Sequence, residues 1–118
     1  MIIFCDGSTT RYCFIPEEGE PARISNNPPN ATHNESEYLA IIAAMIWYAR
    51  TPKVLLSNIE ICSDSQLAVN QINKVWEIKE PRLGMLAHIV WKLKEKIPAK
   101  FVWCPREDNL AGKVLEEK

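Results

Sequence analysis

Three acidic residues in this 118-residue chain stand where carboxylates can work together: Asp6, Glu37 and Asp64. Asp6 closes the apolar run at residues 1–6 (Met-Ile-Ile-Phe-Cys-Asp), which reads as a central strand buried on both faces. Asp64 follows a second strand-like run at residues 58–63. In open α/β sheets, sites form just beyond the carboxyl ends of the strands, so parallel neighbours would carry these two carboxylates side by side. Glu37 falls in the first turn of the helix between them and faces the same end if that helix crosses the sheet. Three carboxylates in one place repel one another, and a divalent cation with oxygen ligands is the usual resolution. Two such ions about 3.5–4 Å apart would activate a water and stabilise the leaving oxygen of a phosphodiester. Each residue also has a plainer reading. Asp6 before Gly7-Ser8 suits a turn, Glu37 favours the positive end of a helix, and Asp64 before Ser65-Gln66 suits an N-cap. The joint pattern is what points to chemistry.

The elements that must position these residues follow from periodicity and breakers. Gly7 to Thr10 is a turn, and residues 11–16 read as a second strand stopped by Pro16. Residues 17–21 form a polar hairpin turn, and 22–26 a weak third strand, giving an antiparallel meander. A helix is predicted from Asn34 to Arg50, with Leu39, Ile42, Ala43, Ile46 and Trp47 as its apolar stripe. Thr32 or Asn34 can cap it, Glu35 and Glu37 suit its first turn, and Pro52 ends the region. After the strand at 58–63 comes a helix from Ser65 to Asn73, then a connector (74–80) containing Trp76. Pro81 opens a helix to Lys96, with Leu83, Leu86, Ile89, Val90 and Leu93 as its core stripe. Residues 100–104 make a fifth strand, 105–108 a loop, and 109–118 a short helix. The order β-β-β-α-β-α-α-β-α predicts an α/β fold, a mixed five-stranded sheet flanked by helices, with the first, fourth and fifth strands parallel.

Composition bounds the function. The chain is 47% hydrophobic and 25% charged, which is globular. Fourteen Lys and Arg against fifteen Asp and Glu give a formal charge of -1, which excludes a strongly basic nucleic-acid coat or a polybasic membrane binder. No apolar run approaches the roughly 18 residues of a membrane-spanning helix. The first residues lack a basic n-region and reach a charge at Asp6, so no signal peptide is expected and a cytoplasmic location is. Cys5, Cys13, Cys62 and Cys104 have no zinc-type spacing among themselves or with His33 and His88. They are expected to be buried reduced thiols, with one structural disulfide the alternative.

Several short motifs resemble type 1 ribonuclease H, in the right order and over nearly the whole chain. They are Asp6-Gly7-Ser8 closing the first strand, Asn34-Glu35-Ser36-Glu37-Tyr38-Leu39-Ala40 opening a helix, and Ser63-Asp64-Ser65-Gln66 after a later strand. The connector 76–83 and the stretch 102–109 extend the likeness. The resemblance implies a single ribonuclease H-like domain over residues 1–118. It also implies a metal-dependent endonuclease that cleaves the RNA strand of an RNA/DNA hybrid with two Mg²⁺ or Mn²⁺ ions. On that reading Asp6, Glu37 and Asp64 are three of four acidic ligands, with Asp64 the bridging one and Glu37 near the scissile ribose. Ser8, Thr9, His33, Asn34 and Gln66 would hold the minor groove, whose 2′-hydroxyls suit short polar side chains. Trp76 would touch the DNA strand or pack in the connector.

The chain departs from the family pattern in three places. The usual Asn-x-x-Ala-Asp reads Asn109-Leu110-Ala111-Gly112-Lys113, so the fourth acid is missing. Asn109 is the expected substitute, through its amide oxygen, with Asp108 second and simple helix capping the plainer role of Asn109. Arg106 stands where relatives carry His or Arg, and would bind a phosphate or aid metal departure; otherwise it pairs with Glu107 or Asp108. The glycine-rich loop after Asp-Gly-Ser and the basic protrusion are both absent, leaving Lys74, Lys79 and Arg82 around Trp76. Lys92, Lys94, Lys96 and Lys100 read as a solvated face, and Trp47, Trp91 and Trp103 as core or half-buried. A monomer with no protein partner is expected. The alternative functions are a catalytically weak or inactive module that binds hybrid or double-stranded RNA, and a junction resolvase of the same superfamily.

Overall fold

The sheet is assembled from two hairpins and two parallel crossovers. In this computed structural model, residues 1–17, 21–51 and 58–116 are described. Five strands, β1 (Ile2–Gly7), β2 (Arg11–Pro16), β3 (Arg23–Asn26), β4 (Ile59–Ser63) and β5 (Ala99–Trp103), lie in the order β3-β2-β1-β4-β5. β1, β2 and β3 pair antiparallel, and β1, β4 and β5 pair parallel, as the meander and the strand–helix alternation predict. Four helices accompany them: α1 (His33–Ala49), α2 (Gln66–Ile72), α3 (Pro81–Lys94) and α4 (Leu110–Glu116). The predicted loop before α4 contains a 3-10 turn, Arg106–Asp108. Pro52, the middle of the 17–21 turn and the last two residues of the predicted terminal helix lie outside the described residues.

The β1–β4 register ends with Cys5 opposite Ser63, so the residues that follow stand at the same level: Asp6, still paired with Cys13 of β2, and Asp64, just past β4. Pleating sends Ile3 and Cys5 into the main core with α1, α2 and α3, while Asp6 turns to the face covered by α4. Two polar clamps hold α4 there. Asn109 Nδ2 donates to the Cys5 carbonyl at 2.9 Å, and the Arg11 guanidinium to the Leu115 carbonyl at 3.2 Å.

α1 starts one residue earlier than predicted because Thr32, not Asn34, caps it. The Thr32 hydroxyl accepts from Glu35 N–H at 3.1 Å, and the Glu35 carboxylate accepts from Thr32 N–H at 2.8 Å. This is a reciprocal capping box. The buried face of α1 is Tyr38, Ile41, Ile42, Met45 and Tyr48, rotated from the predicted stripe; Ile46 is exposed. The helix is apolar nearly all round between Tyr38 and Tyr48, so spacing alone does not choose its inner face. In α3, Leu83 and Val90 are buried as predicted, but Ala87 takes the third core position and Ile89 is exposed. Trp47 and Trp91 are half-buried, whereas Trp103 is exposed at the end of the edge strand β5, past the buried Ala99 and Phe101. The side chains of Lys92, Lys94, Lys96 and Lys100 are exposed. All four cysteines are free, three buried and Cys104 half-buried. Among the described residues, no helix is long and apolar enough to cross a membrane.

Among the described glycines, Gly7 is the most closely enclosed. A Cβ there would overlap the Ser36 carbonyl carbon and the Glu37 nitrogen, both backbone atoms of α1. Neither atom can move without shifting the helix. Gly7→Ala is therefore expected to cost at least about 3 kcal/mol of stability, measured by urea unfolding. A loss below about 1 kcal/mol would mean that α1 can retreat from β1.

Candidate active site

Asp6, Glu37 and Asp64 converge beyond the carboxyl ends of β1 and β4. One carboxylate oxygen from each lies within 4.8 Å of the other two. None of the three carries out its plainer role. The turn after Asp6 is built by Ser8, whose hydroxyl accepts from Thr10 and Arg11 N–H at 3.2 and 2.9 Å. The helix-entry role falls to Glu35, not Glu37. α2 is capped by Ser65, whose hydroxyl accepts from Ala68 N–H at 3.1 Å, which leaves Asp64 free of capping. Glu37 instead accepts a short hydrogen bond from Gly7 N–H. Trp103 Nε1 donates to the Asp64 carbonyl at 3.2 Å and pins the loop that carries this carboxylate.

The site is electrostatically strained. Burial first, then the Asp64 charge, raises the Asp6 carboxyl to about 6. Burial first, then Asp6, raises Glu37 to about 9, against the Gly7 hydrogen bond that lowers it. The ion pairs described among other carboxylates are Glu35 with Arg82 at 2.8 Å, Glu95 with Lys92 at 3.7 Å, and Glu116 with Arg106 at 3.5 Å. A hard cation with oxygen ligands fits this donor set of three converging carboxylates, and supplies the positive charge that the cluster lacks.

The carboxylates sit in a cleft of about 540 Å³, lined also by Gly7, Ser8, Thr9, His33, Trp103, Arg106, Gly112, Leu115 and Glu116. Ser8, Thr9, His33 and Arg106 thus lie where the sequence places them, although the Ser8 hydroxyl is engaged within its own turn. Arg106 pairs with Glu116 rather than with Glu107 or Asp108. Asn34 is exposed one position along α1 and borders a separate hollow with Thr32, Glu35, Glu80, Arg82 and Leu83. Gln66 is exposed at the start of α2. Trp76 is 45% exposed and borders a third hollow with Lys74 and Trp91.

Asn109, expected as a metal ligand or as a plain helix cap, takes the cap. It is wholly buried. Its amide oxygen accepts from Ala111 and Gly112 N–H at 3.0 and 3.4 Å, and its amide nitrogen donates to Cys5. Both ends of the amide serve the packing of α4 on β1. The residue that faces Asp6 is Gly112: a Cβ there would stand 3.4 Å from Asp6 Oδ2. Gly112, which the sequence places with Lys113 at the position of the missing acid, lines the cleft, and Trp103, Leu115 and Glu116 are cleft residues that sequence reasoning missed. The helical i, i+4 spacing of positions 112 and 116 was the available signal for the last.

Fold and site together define a type 1 ribonuclease H-like enzyme. The chain belongs to the reverse transcriptase-like family, which it matches over residues 16–115. Solved structures agree. LC11-RNase H1, isolated from compost by a metagenomic approach, is 26% identical with a TM-score of 0.81, over 97% of this chain and 90% of that one. A structure of LC11-RNase H1 in complex with an RNA/DNA hybrid is 25% identical, TM-score 0.79, over 97% and 91%. RNase H1 from the halophilic archaeon Halobacterium salinarum NRC-1 shares the fold at 22% identity and TM-score 0.79, over 97% and 92%.

Raised carboxyl pKa values have a consequence for stability. Between the ordinary values near 4 and the raised ones, the folded chain binds more protons than the unfolded chain, so stability falls as pH rises. The loss runs through about 6 for Asp6 and on to about 9 for Glu37. In EDTA, Asp6→Asn and Glu37→Gln should therefore raise Tm by several degrees at about pH 8 and change it little at about pH 4. Melts at the two pH values check this; equal shifts at both would rule out charge repulsion as the cause. Asn109→Ala should lower stability by about 1–3 kcal/mol at either pH, through its lost cap and orphaned Cys5 carbonyl.

Proposed function

We propose that residues 1–118 act as one ribonuclease H-like domain, a metal-dependent endoribonuclease that hydrolyses the RNA strand of RNA/DNA hybrids. The observation that carries this reading is the convergence of Asp6, Glu37 and Asp64 within 4.8 Å, at the carboxyl ends of adjacent parallel strands. The family match and the hybrid bound to one structural neighbour support it. Asp6, Glu37 and Asp64 would hold two divalent ions, Mg²⁺ or Mn²⁺. When bound, such ions supply an activated water and positive charge for the leaving 3′-oxygen, consistent with 5′-phosphate and 3′-hydroxyl products.

The chain's own residues do the positioning. Gly7 N–H fixes the Glu37 carboxylate beside Asp6, and Trp103 fixes the backbone at Asp64. Thr9 and His33 at the cleft rim, with Asn34 and Gln66 beyond it, offer polar groups of the size that 2′-hydroxyls accept. Arg106, exposed over the cleft, offers a guanidinium to a phosphate. Trp76 offers an exposed ring for the DNA strand. The domain would work as a cytoplasmic monomer.

The glycine at position 112 favours one competing reading, a hybrid-binding module with weak or no hydrolysis. Cleavage of a labelled hybrid in Mg²⁺ or Mn²⁺ separates the two. Wild type should cleave, and Asp64→Asn should lose at least about 100-fold in rate with an unchanged circular dichroism spectrum. Near-full hydrolysis by that variant would sink the assignment. Tight hybrid binding by a wild type that does not cleave would establish the binding module.

A further inference from the structure

We infer that Glu116 replaces the missing fourth carboxylate, reaching the acidic cleft from one helical turn beyond Gly112. This inference rests on the reading of the cleft as a divalent-cation site. Gly112 stands against Asp6, with room for a Cβ only at 3.4 Å from Asp6 Oδ2. That contact defines which face of α4 looks into the cleft. Residue 116 lies four positions on, on the same face, with Cβ positions about 5–6 Å apart along the helix. Both residues line the same cleft as Asp6, Glu37 and Asp64.

The place of Glu116 on its helix does not favour an acid. It ends α4, where the partial negative charge of the helix terminus disfavours a carboxylate. The turn it ends is held by Arg11 on the Leu115 carbonyl, not by the Glu116 side chain. Its partner is Arg106, at 3.5 Å, and both side chains are mostly exposed. Such a long, solvated pair is weak and exchanges readily. The pair keeps the Glu116 carboxylate at the cleft, with Arg106 as a counter-charge that a bound cation would displace. Arg106 is then released toward the phosphate side of the same cleft. Two residues that look like a surface ion pair thus compete with the cation in opposite senses.

The test is Mn²⁺ titration of the metal-free protein by calorimetry, a readout independent of cleavage. Five proteins are compared: wild type, Asp64→Asn, Glu116→Gln, Arg106→Gln and Asp108→Asn. Glu116→Gln should weaken Mn²⁺ binding by at least about ten-fold. Asp108→Asn removes an equal charge from the neighbouring turn and should change it by no more than about two-fold. Arg106→Gln should tighten binding, although it breaks the same ion pair. Glu116 and Arg106 are exposed, so their variants should keep the wild-type Tm. If Glu116→Gln changes affinity no more than Asp108→Asn does, the inference is overturned. If wild type binds and Asp64→Asn abolishes binding, that failure leaves the cation site standing. If wild type itself takes up no Mn²⁺, the cation site and this inference fall together.

Discussion

The close approach of β1 to α1 at Gly7 is the constraint on which the rest depends. A side chain there is impossible without moving the helix, because the atoms it would meet are backbone. The same approach lets Gly7 N–H donate to Glu37. One missing Cβ therefore sets the height at which α1 crosses the sheet and delivers the helix carboxylate to the strand carboxylate. The capping box at Thr32 and Glu35 fixes where α1 begins, and so which residue lies in its first turn. Shift either feature by one residue and Glu37 rotates about 100° away from Asp6.

What this arrangement produces is unfavourable by itself. Two largely buried carboxylates face a third, and one backbone N–H is a small compensation. The cost is borne by parts of the fold that gain nothing from the site. The main core joins Ile3 and Cys5 of β1 to Tyr38, Ile41 and Met45 of α1, all wholly buried. That packing holds β1 and α1 together beside the side chains that carry the charges. In β1 stability and function are separated by the alternation of side chains, whereas in α1 Glu37 sits on the same buried face as Ile41 and Met45, one and two turns before them. In β1, Cys5 belongs to the core and Asp6 to the cleft.

The order of elements, the strand directions and the meeting of the three carboxylates were legible in the sequence, because strand ends and breakers are local features. Asp6 and Asp64 end apolar runs, and a parallel pairing of those runs leaves them little choice of position. The inner face of α1 was not legible. A helix flanked by sheet and helix is apolar on several sides, and periodicity loses its contrast there. Nor could the sequence divide labour among adjacent polar residues. Ser8 takes the turn, Glu35 the capping box and Ser65 the cap of α2, which frees Asp6, Glu37 and Asp64. Each of those assignments depends on hydrogen-bond geometry that neighbouring residues compete for. Trp103 reads as core or half-buried by type; its place at the end of an edge strand leaves it exposed.

Asn109 illustrates that competition at its sharpest. At the head of a surface helix, an amide oxygen can leave its cap for a cation and water takes over the exposed N–H groups. The head of α4 is buried against β1, and water has no access to Ala111 N–H. An amide that turned to a cation would leave that donor unpaired, and would also abandon the Cys5 carbonyl on which β1 and α4 are joined. Turning Asn109 to a cation would therefore cost both of these hydrogen bonds. A change in the carboxylate set on this helix can only occur at positions that face the cleft and carry no part of the packing. Within the described part of α4, those positions follow the helical repeat from Gly112 toward Glu116.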